Sequence, residues 1–441
     1  MSPTGPPPAT DPSAGTPPGP PAGPGRHTFR SVAPVLALCW LAVFFDGMDV
    51  NVYGAVMPHM LDDPGLGLTP GGAGTIGSWT TFGMLIGALG TGTLTDWLGR
   101  RPVLVASVLM FSAGSAVCAL SGAPAPFGAG RFLAGLGLGG LMPLCLSLVM
   151  EFAPPRRAAL ATGLLMTSYH AGGMFATGLG LTLAPALGWR WVFWAGVLPA
   201  VVAAPLLLRL LPESPGVLLA KGRTAEADAV ADRYGMARPV PADAPAQGAR
   251  GRLAAILALF RPGARWATPL LWLASFCGLL LVYGVSTWLP QMMRAAGYGL
   301  TSSVSFLLLI NAGGIVGMLI AGRTADRYGP VKVSALWFLL TAAGALLLGA
   351  HLPLGLTYVV VAVTGVWLFS AQVMVYAAAH RVYPAAERAT GIGWNDQLGF
   401  RAFALAGLLG SLAIGLVPLA RRIGRPAASP ASPSSAPLGA D

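Results

Sequence analysis

Charge is what this sequence has least of. Only 10% of its 441 residues are Asp, Glu, Lys or Arg, against about 25% in soluble domains. A water-soluble fold so poor in charge would expose large apolar patches, which excludes an ordinary soluble globular protein. Cysteine is scarce as well. Cys39, Cys118, Cys145 and Cys277 are widely spaced inside apolar runs, with no CxxC pair and no Cys/His metal spacing. A disulfide framework and a metal centre are therefore excluded, and the four read as small core residues. The sequence also lacks a nucleophile–base set and a phosphate-binding glycine loop, so no enzyme and no cofactor is expected. Residues 1–25 are rich in Pro, Gly and Ala, without the apolar core of a cleavable signal peptide.

What is present is apolar: 54% of residues are hydrophobic, in recurring runs of about 20 residues, the length that spans a bilayer as a helix. An all-α, multi-pass protein of the cell (plasma or inner) membrane follows, with lipid covering its surface. The net charge of +11 invites a nucleic-acid reading, but its distribution argues against one. Arg100/Arg101, Arg156/Arg157, Lys221/Arg223, Arg323/Arg327 and Arg381/Arg388 fall in alternate loops. The intervening loops carry almost no basic residues, Arg190 and Arg294 excepted. This positive-inside pattern puts the N-terminus in the cytoplasm.

Within the first apolar run lies Phe45-Asp-Gly-Met-Asp-Val-Asn-Val-Tyr53. Asp46 and Asp49 are three residues apart and share a helix face, roughly 5–6 Å apart at Cβ. Each ionised carboxylate in hydrocarbon costs about 2.5–3.5 kcal/mol or more. Such a pair must see water, a cation or a proton, and it should titrate as a unit. That is the chemistry of a proton carrier; a fixed salt bridge is the alternative.

In chain order, residues 1–30 form a proline-rich disordered cytoplasmic tail. Residues 31–211 hold six spans, at about 32–56, 72–94, 103–121, 125–152, 158–185 and 191–211. Residues 212–265, where charge returns, read as a cytoplasmic linker with a short surface helix between Ala225 and Gly235. Residues 266–420 hold five more spans, at about 267–292, 302–322, 331–350, 354–379 and 389–419, and 421–441 form a second disordered tail. The loop Gly322-Arg-Thr-Ala-Asp326-Arg327-Tyr-Gly329 repeats the Gly/Asp/Gly offsets of Gly92-Thr-Leu-Thr-Asp96-Trp-Leu-Gly99. Both follow the second span of their half, which signals a duplicated bundle.

Gly92-x-x-x-Asp96-x-x-Gly99-Arg100-Arg101 resembles the signature loop of the major facilitator superfamily. Asp46-Gly-Met-Asp49, Arg131 to Gly140, Pro212-Glu-Ser-Pro215, Thr287-Trp-Leu-Pro290 and Arg388 to Trp394 together resemble one branch of it, the aromatic acid:proton symporters. The resemblance spans about residues 30–394. It implies two pseudo-symmetric six-helix bundles that import benzoate-, hydroxybenzoate- or protocatechuate-type acids with protons by alternating access, the proton being the coupling ion. It makes Asp46 and Asp49 the transport acids. It makes Gly92, Asp96, Gly99, Arg100 and Arg101 the cytoplasmic gate, with Trp97 in place of a common arginine, and Asp326 and Arg327 its second-half counterpart. Glu151 matches an acid at the cytoplasmic end of span four; a salt bridge to Arg156, Arg157 or the gate arginines stands beside a coupling role. Arg131 reads as an anchor near the external end of that span.

An aromatic carboxylate needs a cation and a flat apolar wall. Arg388 and Arg401 are the late-chain cations, since arginine can hold a carboxylate bidentately. Tyr283, Trp288, Tyr376 and Trp394 are candidate walls, and Asn311 and Gln372 candidate polar contacts. His170 is a candidate proton relay or a satisfied core histidine. The protein is expected to act as a monomer. After Trp394 the chain departs from the family pattern: its arginine comes one place late, at Arg401, and no apolar stretch remains for a twelfth span, so about 11 of 12 are expected. Rival readings are a carrier for another small metabolite, sugar acid or drug, and a truncated, non-transporting remnant.

Overall fold

The computed structural model describes residues 27–154, 157–238, 267–350 and 352–382. The span expected at 389–419, the terminal tails apart from residues 27–30, and the candidates Arg388, Trp394 and Arg401 lie outside the described residues, as do the side chains of Asp96, Asp326 and Tyr376.

Among the described residues every regular element is helical. The first is α1, Phe29–Leu61, opened by the Thr28 side chain, which accepts from the backbone of Ser31. Next come α2, Pro70–Leu98, with Thr69 capping and Pro70 in its first turn, then α3, Arg100–Leu120, α4, Pro124–Phe152, and α5, Ala158–Leu187. The sixth span is a stack of three short helices, α6 Trp189–Ala195, α7 Leu198–Val201 and α8 Ala203–Leu210. The sequence suggests one continuous helix there, but Gly196 weakens it, and Pro199 and Pro205 each remove an N–H from the ladder. Two short helices follow, α9 Pro215–Ala220 and α10 Thr224–Tyr234. The described residues close with α11 Ala267–Ala295, α12 Leu300–Tyr328, α13 Pro330–Leu348 and α14 Leu354–Val382.

Eight of these segments, counting α6–α8 as one, are long and apolar enough to cross a membrane. The 29-residue α2 and 30-residue α5 are as long but diluted by glycine and threonine. A 29-residue helix is roughly 44 Å long, more than the ~30 Å hydrocarbon layer. Large apolar side chains such as Leu120, Leu339 and Leu346 stand exposed around the outside, as lipid solvation requires. Of the four cysteines, Cys39, Cys118 and Cys145 are buried, but Cys277 is exposed. In a lipid-solvated helix an apolar position need not be a core position.

The first spans pack α2 on α4, α1 on α5 and α3 on α4; the later ones pack α12 and α13 on α14. These two groups meet along α5 against α12 and α1 against α11. The seam is tight at Gly54, where an added Cβ would lie 2.1 Å from the Ser286 carbonyl oxygen; only glycine lets the two backbones come this close. Just beyond it, Arg294 at the end of α11 pairs with Asp62 at 2.7 Å and donates to the Pro58 carbonyl at 3.2 Å. The expected surface helix is present as α10, but its Ala227, Ala231 and Tyr234 are buried. The Tyr234 ring stacks edge-on against Phe152 of α4 at 5.3 Å, and its carbonyl accepts from Ser31 of α1 at 3.2 Å, so this part of the linker is docked on the bundle.

Candidate functional site

Asp49 and Arg131 form the buried ion pair at the centre of the first group of helices. Asp49 is 0% and Arg131 1% exposed. Arg131 Nη1 donates to Asp49 Oδ2 at 2.8 Å, Nη2 reaches the Asp49 carbonyl at 3.5 Å, and Ser115 of α3 donates to Asp49 Oδ1 at 2.6 Å. The guanidinium carbon also lies 5.7 Å from the centre of the Tyr53 ring, within cation–π range. Removing one partner of such a pair leaves an uncompensated buried charge, at a cost of about 3–5 kcal/mol. Arg131 is thus no interfacial anchor: its side chain is buried and turned inward onto Asp49 and Tyr53 of α1. Sequence reasoning missed its role and that of Ser115. The signal was available for Arg131, because an ionisable side chain inside an apolar span faces the bundle interior by default.

Asp46, one turn before Asp49, is 4% exposed. Its carboxylate has no hydrogen bond or ion pair among the described residues, so the two acids differ sharply in surroundings. One is neutralised by a guanidinium; the other is buried without a hydrogen-bonding or ionic partner among the described residues, where a lone carboxylate is costly.

Two further buried groups cross the seam. His170 of α5 shares a hydrogen bond of 3.1 Å with Asn311 of α12, whose Nδ2 donates to Asn51 of α1 at 3.2 Å and to the Leu307 carbonyl at 2.9 Å. Asn51 donates in turn to the Gly47 carbonyl at 2.8 Å, and the His170 ring lies 4.4 Å from that of Phe369. His170 and Asn311 are therefore brought together, in a hydrogen-bonded chain linking α1, α5 and α12. Gln372 is elsewhere, between α14 and α11, with its Nε2 3.5 Å from Ser275.

Tyr283 and Trp288 do come together, with Arg131. They line a cavity of about 310 Å³ along with Val50, Tyr53, Gly74, Gly77, Ser78, Thr80, Thr81, Met84, Leu280, Gly284 and Thr287. Its walls are α1, α2, α4 and α11, and the volume is at the small end for ligand sites.

At the opposite end, Glu151 of α4 pairs with Arg100, accepts from Ser214 at 2.7 and 2.8 Å, and accepts from the Gly216 backbone at 2.8 Å. Of the partners the sequence left open, the gate arginine Arg100 is the one present among the described residues, outside which Arg156 lies. Glu213 of the Pro-Glu-Ser-Pro run accepts from the backbone N–H of Arg100 at 2.9 Å and of Arg101 at 3.4 Å. It thus caps the bare N-terminus of α3, whose dipole favours an anion. Gly99 makes this possible: its φ is +110°, and a Cβ there would lie 2.4 Å from Glu213 Oε2. A Cβ added at Gly92 would meet nothing within 4 Å among the described residues. Arg327 is exposed over the Tyr328 ring at 5.3 Å. Near Asp62, the loop acid Asp63 accepts from Trp189 at 2.9 Å, Gly65 at 2.9 Å and Arg190 at 3.1 Å. The Trp189 indole first, then Gly65 and Arg190, hold its carboxyl below the usual range against the smaller opposing effect of burial.

A helical bundle crossing the membrane many times, with a buried ion pair beside a cavity between two groups of helices, is the build of a carrier. The match to known families agrees: residues 39–418 fit the Major Facilitator Superfamily, so the matched range continues past Trp394 to residue 418. The benzoate transport protein of Acinetobacter baylyi is 33% identical over 379 residues, covering 83% of this chain and 80% of that one. The gallate transporter of Pseudomonas putida is 34% identical over 410 residues, covering 89% of each. Among solved structures, the inward open xylose transporter XylE from E. coli superposes with a TM-score of 0.66 at 16% identity, covering 86% of this chain and 90% of that one, a likeness of fold. The chain belongs to the major facilitator superfamily of multi-pass membrane transporters, in its aromatic acid transporter family.

Proposed function

We propose that this protein imports monocyclic aromatic carboxylates across the cell membrane together with protons, by alternating access. The observation that carries the reading is the Asp49–Arg131 pair, 0% and 1% exposed, one helical turn from Asp46. Charges at this depth are costly to keep unless they are used. The relatives' names support the substrate class. In this reading the positive-inside pattern puts the N-terminus and the Arg100/Glu151 end in the cytoplasm. The Asp62–Arg294 end then faces outward and is shut. Asp46 and Asp49 carry the proton. Gly92, Asp96, Gly99, Arg100, Arg101, Asp326 and Arg327 form the inner gate, with Glu151 holding it through Arg100. The site lies within one chain, so a monomer suffices.

Uptake by proteoliposomes under an imposed pH gradient tests this. Benzoate, 4-hydroxybenzoate, gentisate and gallate should accumulate when the outside is acid, and collapse of the gradient should stop it. Accumulation of a sugar acid or a cationic drug with none of these acids would overturn the reading in favour of another carrier of the same fold.

A further inference from the structure

Arg131 is held by Asp49 through Nη1 and, at longer range, Nη2, but its Nε–H has no hydrogen-bond partner among the described residues although the side chain is 1% exposed. A buried donor without a partner is costly and asks for an explanation. Arg131 also lines the cavity whose walls include Tyr53, Tyr283 and Trp288, and it is the one buried arginine or lysine among the described residues. A guanidinium offers its Nε–Nη2 edge as a fork that matches a carboxylate. We propose that the carboxylate of a one-ring aromatic acid binds this edge of Arg131, with its ring in the α1/α2/α4/α11 cavity, and that substrate and Asp49 thereby compete for one cation.

The proposal rests on the transport reading and adds to it where the carboxylate goes and why a proton goes with it. Arg131 and Asp49 together carry no net charge. An incoming carboxylate that takes over the guanidinium leaves Asp49 buried without a counter-charge, with only the Ser115 hydroxyl donating to it, and Asp49 restores the balance by accepting one proton. Substrate anion and proton then enter as a neutral sum; when the substrate leaves, Asp49 releases the proton and returns to Arg131. No covalent bond changes. Next to the ring, the Thr81 hydroxyl donates to the Gly77 carbonyl at 3.1 Å and keeps its acceptor lone pairs for a ring hydroxyl.

Calorimetry on the full chain in nanodiscs, with benzoate as probe and benzamide as its uncharged counterpart, tests this beside the uptake assay. Wild type should bind benzoate with uptake of close to one proton, read from the dependence of the heat on the buffer, and should not bind benzamide. Asp49→Asn should bind benzoate without proton uptake. Benzoate should also raise its melting temperature more than that of wild type, because the ligand supplies the missing anion. Arg131→Gln should lose binding at least tenfold. Because that variant can fail to fold, Gly77→Leu provides a second route. An added Cβ at Gly77 meets only side-chain atoms of Tyr53 and Thr287, at 3.9 Å, so leucine should fit the backbone, fill the cavity and weaken benzoate at least tenfold with the ion pair intact. Undiminished benzoate binding and uptake in Gly77→Leu, or proton uptake persisting in Asp49→Asn, would overturn the assignment while leaving aromatic acid transport standing. Absence of both binding and uptake of any aromatic acid by wild type would overturn both.

Discussion

At the scale of single residues, Asp46 and Asp49 share a helix face and a sequence motif but not an environment. Asp49 is tied to Arg131 and Ser115, whereas Asp46 has no polar partner among the described residues. Their amide variants should therefore fail differently. Asp46→Asn removes a costly group without orphaning a cation, so the protein should keep or gain thermal stability while uptake driven by a pH gradient falls at least tenfold. Asp49→Asn strands a buried guanidinium and should lose stability on the order of 3–5 kcal/mol. Melting curves of the two purified variants, paired with vesicle uptake, check this; equal melting losses in both would contradict it. The glycines of the signature loop divide in the same way. Gly99→Ala must strain a +110° φ and press on Glu213, at about 1–3 kcal/mol for the backbone alone. Gly92→Ala meets nothing within 4 Å among the described residues and should be close to neutral or slightly stabilising. Equal melting temperatures for these two variants would refute the distinction.

At the scale of elements, the α1–α11 seam is closed by backbone contact at Gly54 and by the Asp62–Arg294 pair beyond it. Arg294→Gln should let this end open more often. Thr287→Cys, placed in a background without the native cysteines, should then react several-fold faster with a membrane-impermeant thiol reagent than in the presence of Arg294; an unchanged rate would rule out a gating role for the pair. Next to it, Asp63 clamps the start of α6 through Trp189 and Arg190. Its folded pKa is lowered. The clamp's contribution is therefore present above the unfolded carboxylate value of about 4 and is lost as pH falls through the lower folded value. Asp63→Asn should melt below wild type at pH 7, and the gap should narrow below about pH 4; a constant gap would contradict the ionic origin.

At the scale of the whole molecule, a reporter fused after Ala220 should be active only in a form that requires the cytoplasm, as the alternate-loop arginines dictate. Activity in an externally reporting fusion would invert the assignment of both gates. The bundle's helices were legible from apolar runs because lipid makes length and composition nearly sufficient. The two breaks in the sixth span, after Ala195 and after Val201, also had local causes in Gly196, Pro199 and Pro205, though the run of apolar residues hid them. The acid pair was legible because a carboxylate in such a run is conspicuous. Tyr283 and Trp288 could be named as candidates from their chemistry, but what they face could not. Arg131 was misread for a physical reason. It stands seven residues after the first residue of α4, a distance at which a free arginine reaches the interface, and only the packing of α1 and α3 around it turns it inward. The place of Gln372 between α14 and α11 was not legible either, since the face a polar residue presents depends on neighbours far away in sequence.

The bare backbone contact between Gly54 and Ser286 bears on a carrier's idle state. A seam closed by side chains opens and shuts with each rotamer hop, and every such gap admits a file of water along which protons hop. Carbonyl against glycine has no rotamers. A cell that keeps this carrier in its membrane without substrate would therefore not discharge its own proton gradient through it, and the leak would be set by the full rocking of the two helix groups rather than by side-chain motion.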